Sequence, residues 1–579
     1  MSTKVSKSYT PEFYVQKDQT THVSKGALQT RYDEKSVGIT ASGASVNFSG
    51  IDPPVDSVLS RNFELTAYMR LDLVSLNSGT GANTTAPDFG KFFPRSNCLN
   101  RAIDSIKLTL NNINITSAIS DNLDCINYYD STLQDRQLNF MNDEIDKIQD
   151  YEKFAGSILS PGNFSNVNAR KFEVMSIFKK ANGKLAATVP VTANDKHGVT
   201  SVVLKITENI RLPLLKYRYM DQEEISGFYN ISQVSMNLNF FTGDELMKRM
   251  VGTELADTGY APIGMSSVQD DVKLLTNSRL LFCSNTGSVA GNPNLYLRLK
   301  YTTPDVVALN KLLPARDQKA FYEYEYLQEK ARQHVILPGV LYTPVFGADG
   351  KSNFNTESGT DVSFNNFILG VMPSKIFIYG KLRDSEKRLT DADAYARILS
   401  INVVLANDTA NFSTAKYQDL YKIMVKNGFK YEYGKFTLIR KPINSIGAGG
   451  AGDTGYMINT GMGTVLKLFS HDFNLPADLG ESVVANLNMT VKIKVKALHS
   501  DTENRTYDFV VITSNKTMLG TSYTSSVDQA VMVSKNELLN AGTATSAVIP
   551  SKQLTGGKRL GGKSSGGKEI TLKGLENML

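Results

Sequence analysis

The stretch RILSINVVLANDTANFSTAKYQDLYKIM, residues 397–424, carries a strand, a polar turn and a helix in succession. Ile401, Val403 and Leu405 alternate with their neighbours, the period-two pattern of a strand with one buried face. A run of Asn, Asp, Ser and Thr follows, and then Tyr417, Leu420, Tyr421 and Met424 recur at helical spacing. An earlier stretch, AIDSIKLTLNNINITSAISDNLDCINYY at 102–129, repeats the series. Ile106, Leu108 and Leu110 match Ile401, Val403 and Leu405 at an offset of 295, with Asn112 and Asn407 after them. A two-residue slip then aligns Leu123 and Ile126 with Leu420 and Ile423. Each copy precedes a strongly alternating strand, VSMNLNFF from Val234 and LNMTVKIKV from Leu487. Any two strands look alike, but an ordered series of strand, turn, helix and later strand favours two homologous β-domains.

Working outward, FELTAYMRLDLV from Phe63, LYLRLKY from Leu295 and KIFIYGKL from Lys375 alternate in the same way between clusters of Asn, Gly, Asp and Ser. Helical spacing is expected at 133–154 and 243–252 besides 416–424, while ARDQKAFYEYEYLQEKARQHV at 315–335 reads as strand at its aromatic start and helix at its charged end. The fold class is therefore mainly β: two tandem antiparallel jelly-roll β-barrels with short helices and loop insertions. Domains of roughly 200 to 250 residues fit this better than a propeller, whose repeat is about 40. The expected division is an N-terminal arm at 1–40, a first roll at 41–245 with an insertion at about 130–200, a linker at 246–275, a second roll at 276–520 and a flexible tail at 521–579.

Composition narrows the function. A 41% hydrophobic content supports substantial cores. The start, MSTKVSKSYTPEFYVQKDQ, lacks an apolar signal core, and no run is long and apolar enough to span a bilayer, so synthesis in a cytosol-like compartment is expected. Cys98, Cys125 and Cys283 are too few and scattered for a disulfide framework or a zinc site, and read as buried free thiols. Of the net charge of +6, residues 541–579 supply +4, leaving +2 for the other 540. The body lacks the concentrated basic surface that nucleic-acid binding requires.

Several motifs are decoys. In LTGGKRLGGKSSGGKEI, 554–570, Gly557, Gly562, Lys563 and Ser564 fit the phosphate-loop pattern, yet no apolar strand precedes them and glycines follow where a helix is needed. The match arises from tandem Gly-Gly-Lys repeats. GAGGAG at 447–452 fits the dinucleotide fingerprint, but turn residues follow where a helix is required, and it reads as a surface loop. His22, His197, His334, His471 and His499 sit in unrelated contexts without metal-ligand or triad spacing; His471 beside Asp472 reads as a loop hydrogen bond. No residue is assigned catalysis, and no cofactor or metal is expected.

The series GVMPSKIFIYGKL, YARILSINVVLANDTANFSTAKYQDLYKIMVKNGF and ESVVANLNMTVKIKVKAL resembles the double jelly-roll major capsid proteins of polinton-like viruses, adintoviruses and virophages, in the lineage that includes adenovirus hexon. Met372-Pro373 with Ile376 resembles the family's strand entry, and Gln418-Asp419-Leu420-Tyr421 with Asn427-Gly428 its helix after the turn. The likeness covers about 360–500, reaches the first half through the duplication and leaves the tail out. It implies rolls side by side, a homotrimeric pseudo-hexagonal capsomer, and an icosahedral shell around double-stranded DNA. Neighbouring capsomers, a penton and minor or cement proteins are the implied partners. The implied location is the virion capsid, after synthesis in the host cytosol and assembly there or in the nucleus. A β-sandwich recognition module, lectin-like or a receptor-binding spike, is the rival reading, and an enzyme is third.

The tail holds the remaining candidates. Lys558, Arg559, Lys563, Lys568 and Lys573 are dispersed among glycines, which suits either an unbound tail or contact with genome or an inner membrane surface. Leu554-Thr555-Gly556-Gly557 resembles the Leu-x-Gly-Gly signal of adenovirus-type maturation proteases, implying a cut before Lys558 that removes 22 residues, although Gly-Gly repeats produce such matches readily.

Overall fold

The computed structural model describes residues 29–39, 44–54, 57–75, 92–95, 97–129, 173–183, 197–212, 227–253, 278–289, 293–303, 320–338, 359–387, 395–405, 411–437, 439–444, 455–460, 463–473, 475, 479–497, 504–521, 526–530, 532 and 535. They form two β-sandwiches, each with its own buried core.

The strands of the first sandwich are β1 (Gln29–Val37), β2 (Ser45–Ile51), β3 (Val58–Ser75), β4 (Phe92–Pro94), β5 (Ile103–Leu110), β6 (Ile113–Ser117), β7 (Glu173–Gly183), β8 (His197–Asn209), β9 (Gly227–Phe228), β10 (Val234–Phe240), β11 (Val251–Thr253), β12 (Arg279–Phe282) and β13 (Leu295–Thr303). The larger sheet runs β1-β13-β3-β8-β7, with β9 and β12 also on β3; the smaller runs β2-β10-β5-β6. Along β3, Phe63, Leu65, Ala67, Met69, Leu71 and Leu73 are buried in strict alternation, so one face of the strand is core. Helices α1 (Cys98–Ala102), α2 (Ile119–Tyr129) and α3 (Gly243–Met250) lie at one end. The strands of the second sandwich are β14 (Ala320–Pro338), β15 (Thr360–Val371), β16 (Lys375–Leu382), β17 (Arg397–Leu405), β18 (Ile439–Asn444), β19 (Gly455–Thr460), β20 (Val465–Phe469), β21 (Val484–Lys496), β22 (Asn504–Thr521) and β23 (Ser526–Ala530). They are joined by helices α4 (Tyr417–Lys426) and α5 (Tyr433–Thr437). One sheet runs β14-β22-β16-β20 with β23 on β22, the other β15-β21-β17, and β18 pairs with β19.

The internal duplication is structural. In the first copy Ile106, Leu108 and Leu110 face Leu238, Met236 and Val234 across the β5–β10 pair. In the second, Ile401, Val403 and Leu405 face Ile493, Val491 and Met489 across β17–β21. Each repeated strand thus pairs antiparallel with the alternating strand that follows it much later in the chain, and then leads toward a helix.

The expected domain limits change. Strands β12 and β13, placed in the second roll by the limit at 276, pair with β3 of the first. Strand β1 lies in the presumed arm yet pairs with β13, and β23 lies in the presumed tail yet pairs with β22. Within the presumed insertion, β7 and the start of β8 belong to the first roll's larger sheet. Alternation reveals that a segment is a strand but not which distant segment completes its hydrogen bonds. The ambiguous segment resolves the same way: Ala320–Pro338 is strand throughout, its charged end included. Those charges are satisfied across the fold, Arg332 reaching Asp121 at 2.6 Å and His334 reaching Asp508 at 2.5 Å, so helix is not required to solvate them. The stretch at 133–154, expected to be helical, lies outside the described residues.

Candidate functional site: the junction between the rolls

Helix α2 follows β6 in the first roll, and its Ile119 packs in that roll's core. Its Cys125, Tyr128 and Tyr129 belong to the core of the second. Ten of its eleven residues are buried, as expected of a helix enclosed on every side. The corresponding helix α4 buries only Leu420 and Met424 and leaves Val425 45% exposed. The exchange is reciprocal: Tyr324 of β14 and Leu519 of β22 enter the first roll's core, and the Thr521 hydroxyl donates to the Tyr229 carbonyl at 2.8 Å.

Polar contacts fix the helix. The Tyr129 hydroxyl donates to the Val465 carbonyl and lies 3.3 Å from the Met424 sulfur. The Tyr379 hydroxyl donates to the Asp121 carbonyl at 2.6 Å, and the Tyr395 hydroxyl to Asp124 Oδ1 at 2.5 Å. Burial pushes the Tyr129 and Tyr379 hydroxyls well above the usual phenol range, so both remain donors. Tyr128 meets Tyr395 edge to face with centroids 5.0 Å apart.

A charge cluster closes the same junction. Asp384, just past β16, is held by Arg249 of α3 at 2.8 Å and lies 3.7 Å from Lys381. Arg249 also binds Glu245 at 2.8 Å and stacks over Phe241 at 3.6 Å, while Lys248 donates to the Ser385 carbonyl at 2.6 Å. Burial alone would raise the Asp384 carboxyl; Lys381, Arg249, Lys387 and Arg101 outweigh it and hold the group far below the usual range. Burial would likewise lower the Lys381 ammonium, but Asp384 and Asp124 keep it raised. Arg101, Asp124, Arg249, Lys381, Asp384 and Tyr395 line a small cavity, about 20 Å³ of which a water-sized molecule can occupy. That is room for a water rather than for a substrate. The arrangement therefore joins two domains through cores, hydrogen bonds and ion pairs, and its chemistry is mechanical.

The sequence candidates fare differently. Leu554, Gly556, Gly557, Lys558, Arg559, Lys563, Lys568 and Lys573 lie outside the described residues, and so does GAGGAG. The strands flanking GAGGAG form an antiparallel pair, so it leads to a strand where a dinucleotide fingerprint leads to a helix. Asp472 accepts from Asn427 Nδ2 at 2.6 Å and the Phe469 amide at 2.8 Å, serving its loop, with His471 3.8 Å away. All three cysteines are buried free thiols. Asp121, Asp124, Tyr128, Tyr129, Arg249 and Asp384 were missed. A signal existed for the tyrosines: the aligned positions in the second copy are Val425 and Lys426, so the duplicate helices diverge where α2 gains its second buried face.

Two antiparallel sandwiches related by duplication and fused through shared cores define a double jelly-roll protein. Comparison with known proteins specifies the kind. Residues 345–517 match the family model described as major capsid protein V20 C-terminal domain. A Sputnik virophage protein, capsid protein V20, is 25% identical over 187 residues, which are 30% of this chain and 29% of that protein. The aligned part thus spans less than a third of that relative. A chain of the Sputnik virophage cryo-EM structure matches with TM-score 0.66 at 18% identity, over 93% of this chain and 95% of that one. The mavirus major capsid protein matches with TM-score 0.61 at 14% identity, over 90% and 93%. The chain therefore has a double jelly-roll fold similar to that of these virophage structures, and its residues 345–517 are similar to a major capsid protein C-terminal domain.

Proposed function

We propose that this chain is the building block of an icosahedral viral shell, three copies forming a pseudo-hexagonal capsomer that tiles around a double-stranded DNA genome. The observation that carries the reading is α2, which belongs to one roll by chain order and to the other by its core. A shell subunit must transmit contact forces between neighbours without hinging, and a shared core makes the two rolls one rigid block. Homologous domains within one chain also give three copies six similar corners, so closed symmetry can produce a near-hexagonal tile. On this reading the chain is structural rather than catalytic, and resides in the virion capsid after synthesis in the host cytosol, with assembly there or in the nucleus. Its partners are copies of itself, a penton protein and minor or cement proteins.

The tail completes the proposal. Lys558, Arg559, Lys563, Lys568 and Lys573 contact genome or an inner membrane surface through dispersed charge, and a maturation protease cuts between Gly557 and Lys558 in the Leu554–Gly557 signal. Expression of the full chain, followed by negative-stain imaging, tests the shell reading. Pseudo-hexagonal particles or closed shells are expected; monodisperse particles without threefold symmetry, alone and with the other virion proteins, would overturn it.

A further inference from the structure

We propose that the outer face of the β15-β21-β17 sheet binds the phosphate backbone of nucleic acid through Lys492, Lys494 and Lys496. Along β21, Val491, Ile493 and Val495 are buried in the second core, and the three lysines alternate with them on the other side of the sheet. Successive cations stand about 7 Å apart, in a row about 13 Å long. Across the sheet, Ser363 and Asn402 sit opposite Lys492, Asp361 and Ser400 opposite Lys494, and Arg397 opposite Lys496. The Arg397 guanidinium stacks on the Tyr417 ring at 4.8 Å. The row and its cross-strand neighbours thus hold four cations against one carboxylate. Like charges directly opposite each other, as Lys496 and Arg397 are, weaken a sheet, and so does a row of lysines on one face.

The duplication shows that the fold does not require these charges. In the first roll β10 takes the place of β21, Leu238 standing opposite Ile106 as Ile493 stands opposite Ile401. Asn237 and Asn239 therefore occupy the positions of Lys492 and Lys494. There the Ser45 hydroxyl donates to Asn237 Oδ1 at 3.3 Å and Asn239 Nδ2 donates to the Ser105 hydroxyl at 2.8 Å, so the equivalent face is neutral and bonded within itself. The second roll carries charge where the first does without it. The +2 summed over the first 540 residues conceals this, because alternate residues of one strand gather on one face.

The neighbours select the partner. Phosphate contacts draw on lysine together with Ser and Asn side chains, the set that surrounds this row. The core of a protein–protein interface is instead depleted in lysine and enriched in aromatic residues, and no aromatic residue stands opposite the three lysines. A DNA duplex presents one phosphate per about 1.7 Å of axis, so a row of this length meets several.

Fluorescence anisotropy of the unassembled full-length chain with a DNA duplex of about 30 base pairs, over about 50 to 200 mM NaCl, tests this. Lys492→Gln/Lys494→Gln/Lys496→Gln is expected to weaken binding at least about tenfold and to make the slope of log K against log salt shallower by about 2 to 3. The control Lys35→Gln/Lys422→Gln/Lys426→Gln removes the same charge from other exposed positions and should bind like the parent. Lys492→Arg/Lys494→Arg/Lys496→Arg should also bind like the parent, which separates lost charge from lost folding. The C-terminal lysines are identical in all these proteins, so tail binding adds equally to each and shell formation is not involved. Parent-like binding by the glutamine variant of β21, or an equal loss in the control, would overturn the proposal.

Discussion

The hydroxyl of Tyr129, in the last turn of a helix that follows a first-roll strand, donates to the carbonyl of Val465 inside the second roll. One side chain thereby belongs to both domains, and the mechanical unity of the molecule depends on its neighbourhood. Tyr129→Phe keeps the ring and orphans the Val465 carbonyl, and is expected to cost about 1–3 kcal/mol in urea unfolding. Tyr129→Ala also leaves a cavity and should cost about 3–5 kcal/mol. In the alanine variant the two rolls should unfold in separate transitions, resolved by calorimetry; a single unshifted transition would contradict the shared-core account.

Asp384 makes the junction acid-sensitive in a defined direction. Its folded carboxyl lies far below the unfolded value of 3.8, so its contribution is present above that value and is lost as pH falls through the folded one. Asp384→Asn should therefore destabilise the protein at neutral pH by about 3 kcal/mol, since it removes the carboxylate that Arg249 and Lys381 share and leaves them only Glu245 and Asp124. Below pH 4 the difference from the parent should shrink progressively. Thermal melts at several pH values check this, and a gap that widens in acid would refute it.

Lys381 acts at the opposite extreme. Its folded ammonium lies above the unfolded 10.5, so its contribution is present below that value and is lost as pH rises through the folded one. The parent should lose stability above about pH 10.5 more steeply than Lys381→Met, as read by urea midpoints. Parallel curves would assign the alkaline loss elsewhere.

Gly380 tests the packing of β16 against β22. A Cβ at this position would run into the buried Phe509 ring, whereas one at Gly370 meets nothing within 4 Å. Gly380→Ala should cost about 1–3 kcal/mol from overpacking, and Gly370→Ala should stay within about 0.5 kcal/mol of the parent. Equal effects would show that the ring yields.

Processing of the tail predicts a mass. Chains from mature particles should end at Gly557, lacking the last 22 residues, and Gly556→Ala should preserve the full length. Intact-mass spectrometry of purified particles decides, and full-length chains there would remove the cleavage proposal.

The parts of the fold that rest on local periodicity were legible. Ile106, Leu108 and Leu110 announce a half-buried strand because side chains alternate every residue, and their repetition as Ile401, Val403 and Leu405 announces the duplication. Lys375–Leu382 is a strand over the stretch its pattern marks, and Tyr417–Lys426 a helix. Pairing between distant segments was not legible. Leu295 and Leu297 show that β13 is a strand but not that it joins Ala67 and Leu65 of the first roll. The junction was hidden for the same reason: Arg249 and Asp384 are far apart in the sequence and carry no motif, and only the fold brings them to 2.8 Å.

The most direct measurement of the central claim is the native mass of the full-length chain by light scattering. A closed assembly of three 63.7 kDa chains is predicted, stable to dilution. A monomer that stays monomeric in the presence of the other virion proteins would contradict the capsomer account.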